Sequence, residues 1–179
     1  MGHDAGTLSE GAHPGSGRSA PWYRSRAARR LVLARFVPLL AAGSLAWEIV
    51  QLPLYTLWSE GTPRSRLFAV AHCTIGDVMI GTAALLISVM LFGRRGWPRL
   101  NHGRVLGAAT IAGVAYTVFS EWLNTQVTMS WQYSESMIQV PPFGTGIAPL
   151  LQWILVPPMA YALAHALGRA RRGTQKLNS

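Results

Sequence analysis

Apolar residues gather in four long runs, approximately Leu31 to Leu52, Leu67 to Phe92, Val105 to Leu123 and Ile147 to Leu167, separated by stretches where arginine, proline and glycine concentrate. Each run is about the 20 residues that a helix needs to cross a bilayer. The pattern predicts an all-α polytopic membrane protein, a four-transmembrane-helix bundle occupying residues 26–168. Residues 1–25, rich in Gly, Ser, Ala and His and without an apolar run, are expected to form a disordered cytoplasmic tail. Residues 169–179 are expected to form a basic one.

Inside these runs lie three acids, Glu48, Asp77 and Glu121. Each is the same distance from the arginines flanking its own run: 18 residues from Arg30 to Glu48, 17 from Asp77 to Arg94, and 17 from Arg104 to Glu121. The fourth run repeats the spacing with Gln152, 17 residues before Arg169. If the arginines share one side of the membrane, the four side chains share one depth, about 26 Å from that side at 1.5 Å rise per residue. Carboxylates within a bilayer are costly and mark function by default.

Helical spacing indicates where these side chains point. Ala41, Ser44, Glu48 and Gln51 form one stripe; Asp77, Gly81, Ala84 and Ser88 a second; Thr110, Gly113, Thr117 and Glu121 a third. Small residues mark the faces by which membrane helices approach each other. The acids are therefore expected to face protein. Gln152 has only Ala148 as a small neighbour on its stripe, so its direction is less defined.

The charge pattern supplies orientation. Of 16 basic residues, all except Arg64 and Arg66 precede or open the first run, lie between the second and third, or follow the fourth. By the positive-inside rule both termini are cytoplasmic. Trp47, Trp58, Trp122, Trp131 and Trp153 fall near the opposite ends, as an interfacial aromatic belt does. A net charge of +9 invites a nucleic-acid reading, but the arginines are dispersed at helix ends and form no single polar face, so nucleic acid is not expected as a partner. Arg29 and Arg30 before an apolar run also suit a twin-arginine export signal, although an uncleaved first span accounts better for the three that follow.

A short internal repeat supports the common depth: Glu48, Gln51 and Trp58 have the spacing of Glu121, Asn124 and Trp131. An axis along the membrane normal relating the two halves would set Glu48 opposite Glu121. Three carboxyls at one level repel when ionised, so protons or a bound cation would have to neutralise them. The expected site is an outward-facing acidic pocket of Glu48, Asp77 and Glu121, with Gln51, Asn124 and Gln152 hydrogen-bonding a ligand. His72, five residues from Asp77, would complete a possible divalent-metal set with the three acids, although no established metal spacing is present. The plainer alternative is that the acids and amides are interhelical hydrogen bonds that fix register, at about 1 kcal/mol each.

Other features carry less. Cys73 lies on the face of Asp77 but, as a lone thiol, is read as packing. His165 suits the C-terminal end of its helix dipole. Pro38, Pro157 and Pro158 are expected to bend their helices. The polar and aromatic stretch from Trp122 to Gly146 is either a lid over the pocket or a loosely held connection. No phosphate loop, nucleophile elbow or zinc-protease helix is present, so no reaction or catalytic residue is named.

The segments AWEIVQLPLYTLW, AHCTIGDVMI, YTVFSEWLN and APLLQWILVPP resemble those of small four-span bacterial membrane proteins of unassigned activity. The resemblance implies only a bacterial cytoplasmic (inner) membrane setting and carries no activity, cofactor or partner. Three readings follow. The first is a binding or transport protein for a cation, proton or small ligand, in which the scarcity of deeper charges favours binding. The second is an accessory or assembly subunit docking on another membrane protein, or on a second copy of itself. The third is a membrane enzyme acting on a lipid or isoprenoid by acid/base chemistry, which needs an opening between helices.

Overall fold

The computed structural model describes residues 25–93, 97–98 and 100–177, with side chains described as far as position 169. Most of the tail read at 1–25 lies outside these residues, as do Arg18, Arg24, Arg94, Arg95 and Arg99, and the side chains of Arg171, Arg172 and Lys176. Four helices are long and apolar enough to cross a membrane: span 1, Arg26–Leu54; span 2, Pro63–Phe92; span 3, His102–Val127; and span 4, Ile147–Arg169. Each outruns its apolar core at one or both ends, because helical hydrogen bonding continues through polar residues that hydropathy leaves out. Span 4 belongs to a helix that continues to Leu177.

The helix ends follow local chemistry. Thr62 caps span 2 by accepting the Ser65 N–H at 3.1 Å, with Pro63 in the first turn where its missing N–H costs nothing. Within span 1, Pro38 cannot donate to the Ala34 carbonyl, and the helix widens into a π turn over Val32–Phe36 just before it. Pro157 and Pro158 behave otherwise: the helix Ile147–Leu177 runs through both without a break. The two prolines still leave the Trp153 and Ile154 carbonyls without their usual helical donors.

Spans 1 and 2, 2 and 3, 3 and 4, and 4 and 1 pack as neighbours, leaving span 1 diagonal to span 3 and span 2 diagonal to span 4. Small residues on the predicted stripes make the close approaches. A side chain on Gly81 would meet Leu40, one on Gly43 would meet Val156, and one on Gly113 would fall within the Trp153 ring. Ser44, Glu48, Gln51, Ala84, Ser88, Thr117, Glu121, Ala148 and Gln152 are all buried. Leu33, Val50, Met79, Met90, Ile111 and Met159 point outward, as lipid-facing residues do.

The interior is divided along its length. The half carrying Arg26, Arg29, Arg30, Arg104 and Arg169 holds a continuous apolar core that includes Phe36, Leu40, Leu85, Val89, Val105, Val156 and Tyr161. Arg35 reaches across this end to lie over Gly168. His165 is held there between the rings of Tyr161 and His102, at 4.8 and 5.7 Å between centroids, so ring packing as well as the helix dipole places it. The other half carries the polar residues. Beyond it the chain from 128 to 146 forms a small hairpin, Gln139–Val140 against Thr145–Gly146. Gly144 closes its turn at φ +65°, a conformation open to glycine.

Candidate acidic pocket

The side chains singled out at one depth converge from all four spans on one cavity of about 560 Å³ in the arginine-poor half. Glu48, Gln51, Asp77, Glu121, Asn124 and Gln152 all line it. Their arrangement is unequal. The carboxyls of Glu48 and Asp77 lie within hydrogen-bonding reach of each other across spans 1 and 2. The Gln152 amide nitrogen, from span 4, donates to both, at 3.2 Å to Glu48 Oε1 and 2.5 Å to Asp77 Oδ2. Gln51 supports this group by donating to Glu48 Oε1 at 2.9 Å and to Gln152 Oε1 at 3.3 Å. Trp47 fixes the orientation of Gln51 by donating its indole N–H to Oε1 at 3.1 Å. Ser44, one turn deeper than Glu48, reaches Asp77 with its hydroxyl.

Glu121 stands apart on span 3, within electrostatic range of Glu48 but held by different partners. Tyr133 donates its phenol O–H to Glu121 Oε2, and the phenol oxygen itself accepts the Gly146 N–H at 2.9 Å. Asn124 lines the cavity, but its amide nitrogen turns back to the Ser120 carbonyl at 2.8 Å. The repeat between the two halves thus extends to the acids and stops there. Trp58, the counterpart of Trp131, is exposed with the Arg66 guanidinium 5.1 Å above its ring.

The expected divalent-metal set is not assembled. Among the described residues no three His, Cys, Asp or Glu side chains are grouped to hold a metal ion. The Gln152 amide occupies the position between Glu48 and Asp77. His72 sits on the exposed edge of span 2, stacked on Phe68 with centroids 5.5 Å apart.

The loop after span 3 is a cover. Thr56 N–H donates to the Gln132 carbonyl and Ser134 N–H to the Leu54 carbonyl, each at 3.0 Å, on either side of a Tyr55–Tyr133 bridge. The two tyrosine rings are tilted with centroids 5.4 Å apart. Tyr55, Trp131 and Tyr133 therefore roof the arginine-poor end of the cavity. Burial, followed by the charge of Glu121, pushes the Tyr55 and Tyr133 phenols well above the ordinary value of 10.0. Both remain protonated donors through neutral pH.

The stability these phenols lend the cover is fully present below the unfolded value near 10 and falls as pH rises above it. Hydrogen exchange across residues 128–146 is accordingly expected to be steady, once corrected for intrinsic rates, between pH 6 and 9. Tyr133→Phe removes two hydrogen bonds, one to a carboxylate, and is expected to lower protection there by about 1–3 kcal/mol. Unchanged protection in that variant would show that the cover is held by its backbone bridge alone.

No family model, curated protein or solved structure matches this chain. The site therefore rests on its own geometry. Among its contributors, Ser44 and Thr117 stand one helical turn from Glu48 and Glu121 on the small-residue stripes, and that spacing was their signal. Trp47 and Tyr133 had none, since their roles depend on a neighbouring rotamer and on the path of a loop.

Proposed function

We propose that the protein is a membrane binding component whose pocket takes up positive charge, as a proton or a small cationic ligand, from the side opposite the arginines. The observation carrying this reading is the pairing of two carboxyls from different helices on one uncharged amide. Three carboxyls and His72 line the cavity, and among the described residues no Lys or Arg joins them. Negative charge gathered in a low-dielectric interior demands a compensating positive partner. The apolar core beneath the acids favours binding over passage, because among the described residues it presents no ionisable carboxyl onward toward the arginine-rich end. The arginine distribution supports cytoplasmic termini and a cavity facing outward. The resemblance to small four-span bacterial proteins supports a bacterial inner membrane.

The test is equilibrium dialysis of radiolabelled methylammonium against the purified protein at neutral pH, alongside native mass spectrometry of copurifying species. Glu48→Gln and Asp77→Asn are each expected to weaken binding about tenfold or more, since an ion pair at contact contributes up to roughly 4 kcal/mol at an effective dielectric near 20. Equal binding by folded variants lacking all three carboxyls would reject the pocket.

A further inference from the structure

The cavity reaches the lipid-facing surface of the bundle on one flank. Its floor is the apolar core starting at Leu40 and Val156. Its roof is Tyr55, Trp131 and Tyr133. Its walls on spans 1 and 4 are buried residues such as Glu48, Gln51, Gln152 and Trp153. Exposed lining residues from the spans are confined to Phe68 and His72 on span 2 and Tyr116 on span 3. Between them lies Gly76, which also lines the cavity and where an added side-chain carbon would meet nothing within 4 Å. The gap between spans 2 and 3 therefore faces the lipid-exposed flank of the bundle.

A second observation points to an occupant. Thr117 is 4% exposed, lines the cavity one turn below Glu121, and its hydroxyl has no hydrogen-bond partner. A buried hydroxyl left unpaired inside a polar cavity is a group awaiting a ligand. The volume, about 560 Å³, is that of an organic molecule and far exceeds a bare ion. Aromatic faces of Trp131, Trp153 and Tyr116 beside carboxyls suit an ammonium group. Phe68, Ile80 and Tyr116 at the gap suit a hydrocarbon chain.

We propose that the pocket takes an amphiphile, an ammonium head held among Glu48, Asp77 and Glu121 with its alkyl chain lying in the gap between spans 2 and 3. This rests on the acidic-pocket reading above and names its ligand class. The alkyl chain reaches the pocket from the bilayer, through the flank where Phe68, His72 and Tyr116 are exposed.

The test uses the full-length protein in nanodiscs of neutral lipid, with two probes: methylammonium and bromine-labelled dodecylammonium, the latter read by saturable quenching of tryptophan fluorescence. The wild-type protein is expected to bind dodecylammonium at least tenfold more tightly than methylammonium. Gly76→Phe, which fills the gap where no neighbour stands, is expected to abolish that advantage while methylammonium still binds. Tyr116→Trp narrows the same gap from span 3 and serves if the first variant does not fold. Bromine-labelled dodecanol is expected to bind at least tenfold more weakly than the ammonium probe.

Retention of the dodecylammonium advantage in the folded gap variants would overturn the lateral chain while leaving the acidic pocket standing. Equal binding of dodecanol would overturn the cationic head. Failure of both ammonium probes to bind the wild-type protein would remove the pocket reading, and this inference with it.

Discussion

Gln152→Leu is expected to cost the folded bundle about 2–3 kcal/mol, the upper part of the range for leaving buried hydrogen-bonding groups without a partner. A single amide nitrogen donates to Glu48 at 3.2 Å and to Asp77 at 2.5 Å, and its oxygen accepts from Gln51. Leucine fills similar volume but answers none of these groups. If the polar layer were ordinary interhelical adhesive, the loss would be about 1 kcal/mol, the typical value for hydrogen bonds between membrane helices. The size of the effect therefore separates the two readings. It is measured as the change in unfolding free energy in mixed detergent micelles. A loss near 1 kcal/mol would reduce the carboxyl pair to a register device, whereas restoration in a Glu48→Gln, Asp77→Asn, Gln152→Leu background would confirm that the amide answers those two acids.

Gly113→Leu is expected to be comparably severe by a different route. A side chain at Gly113 overlaps the Trp153 ring, so spans 3 and 4 must separate or the indole must leave its site. Overpacking in a well-filled interior costs about 1–3 kcal/mol and more when backbone must move. Trp153 lines the cavity, so methylammonium binding is expected to fall along with stability. Gly107→Ala provides the contrast: nothing stands within 4 Å of its added carbon, and helix propensity alone predicts a gain of about 1 kcal/mol. Thermal unfolding of the two variants side by side checks both signs. Similar melting temperatures for them would contradict the close approach of spans 3 and 4.

The fold was largely legible because a bilayer leaves few choices. Four apolar runs of membrane length give four helices, and small residues at three- and four-residue intervals identify their inner faces. Equal spacing from the arginines placed Glu48, Asp77, Glu121 and Gln152 on one level, and the cavity gathers all four. What spacing along single helices leaves open is pairing across them. It assigns no preference for Asp77 to meet Glu48 instead of Glu121, because that depends on which spans are neighbours. Nor does it indicate that Asn124 turns back to Ser120, or that His72 stacks on Phe68. The loop was the least readable part. Its contacts with Leu54 and Thr56 are backbone hydrogen bonds, which carry no side-chain signature.

The Gln152 bridge also sets a schedule for biogenesis. The amide that answers Glu48 is encoded 104 residues after it, so at roughly 5–20 residues per second the ribosome supplies it on the order of 5–20 s later. During that interval the nascent hairpin of spans 1 and 2 presents its acids to the translocon without their amide. The polar layer is thus completed only when the last helix docks, and truncation before residue 152 is expected to leave a species that membrane quality-control proteases degrade faster.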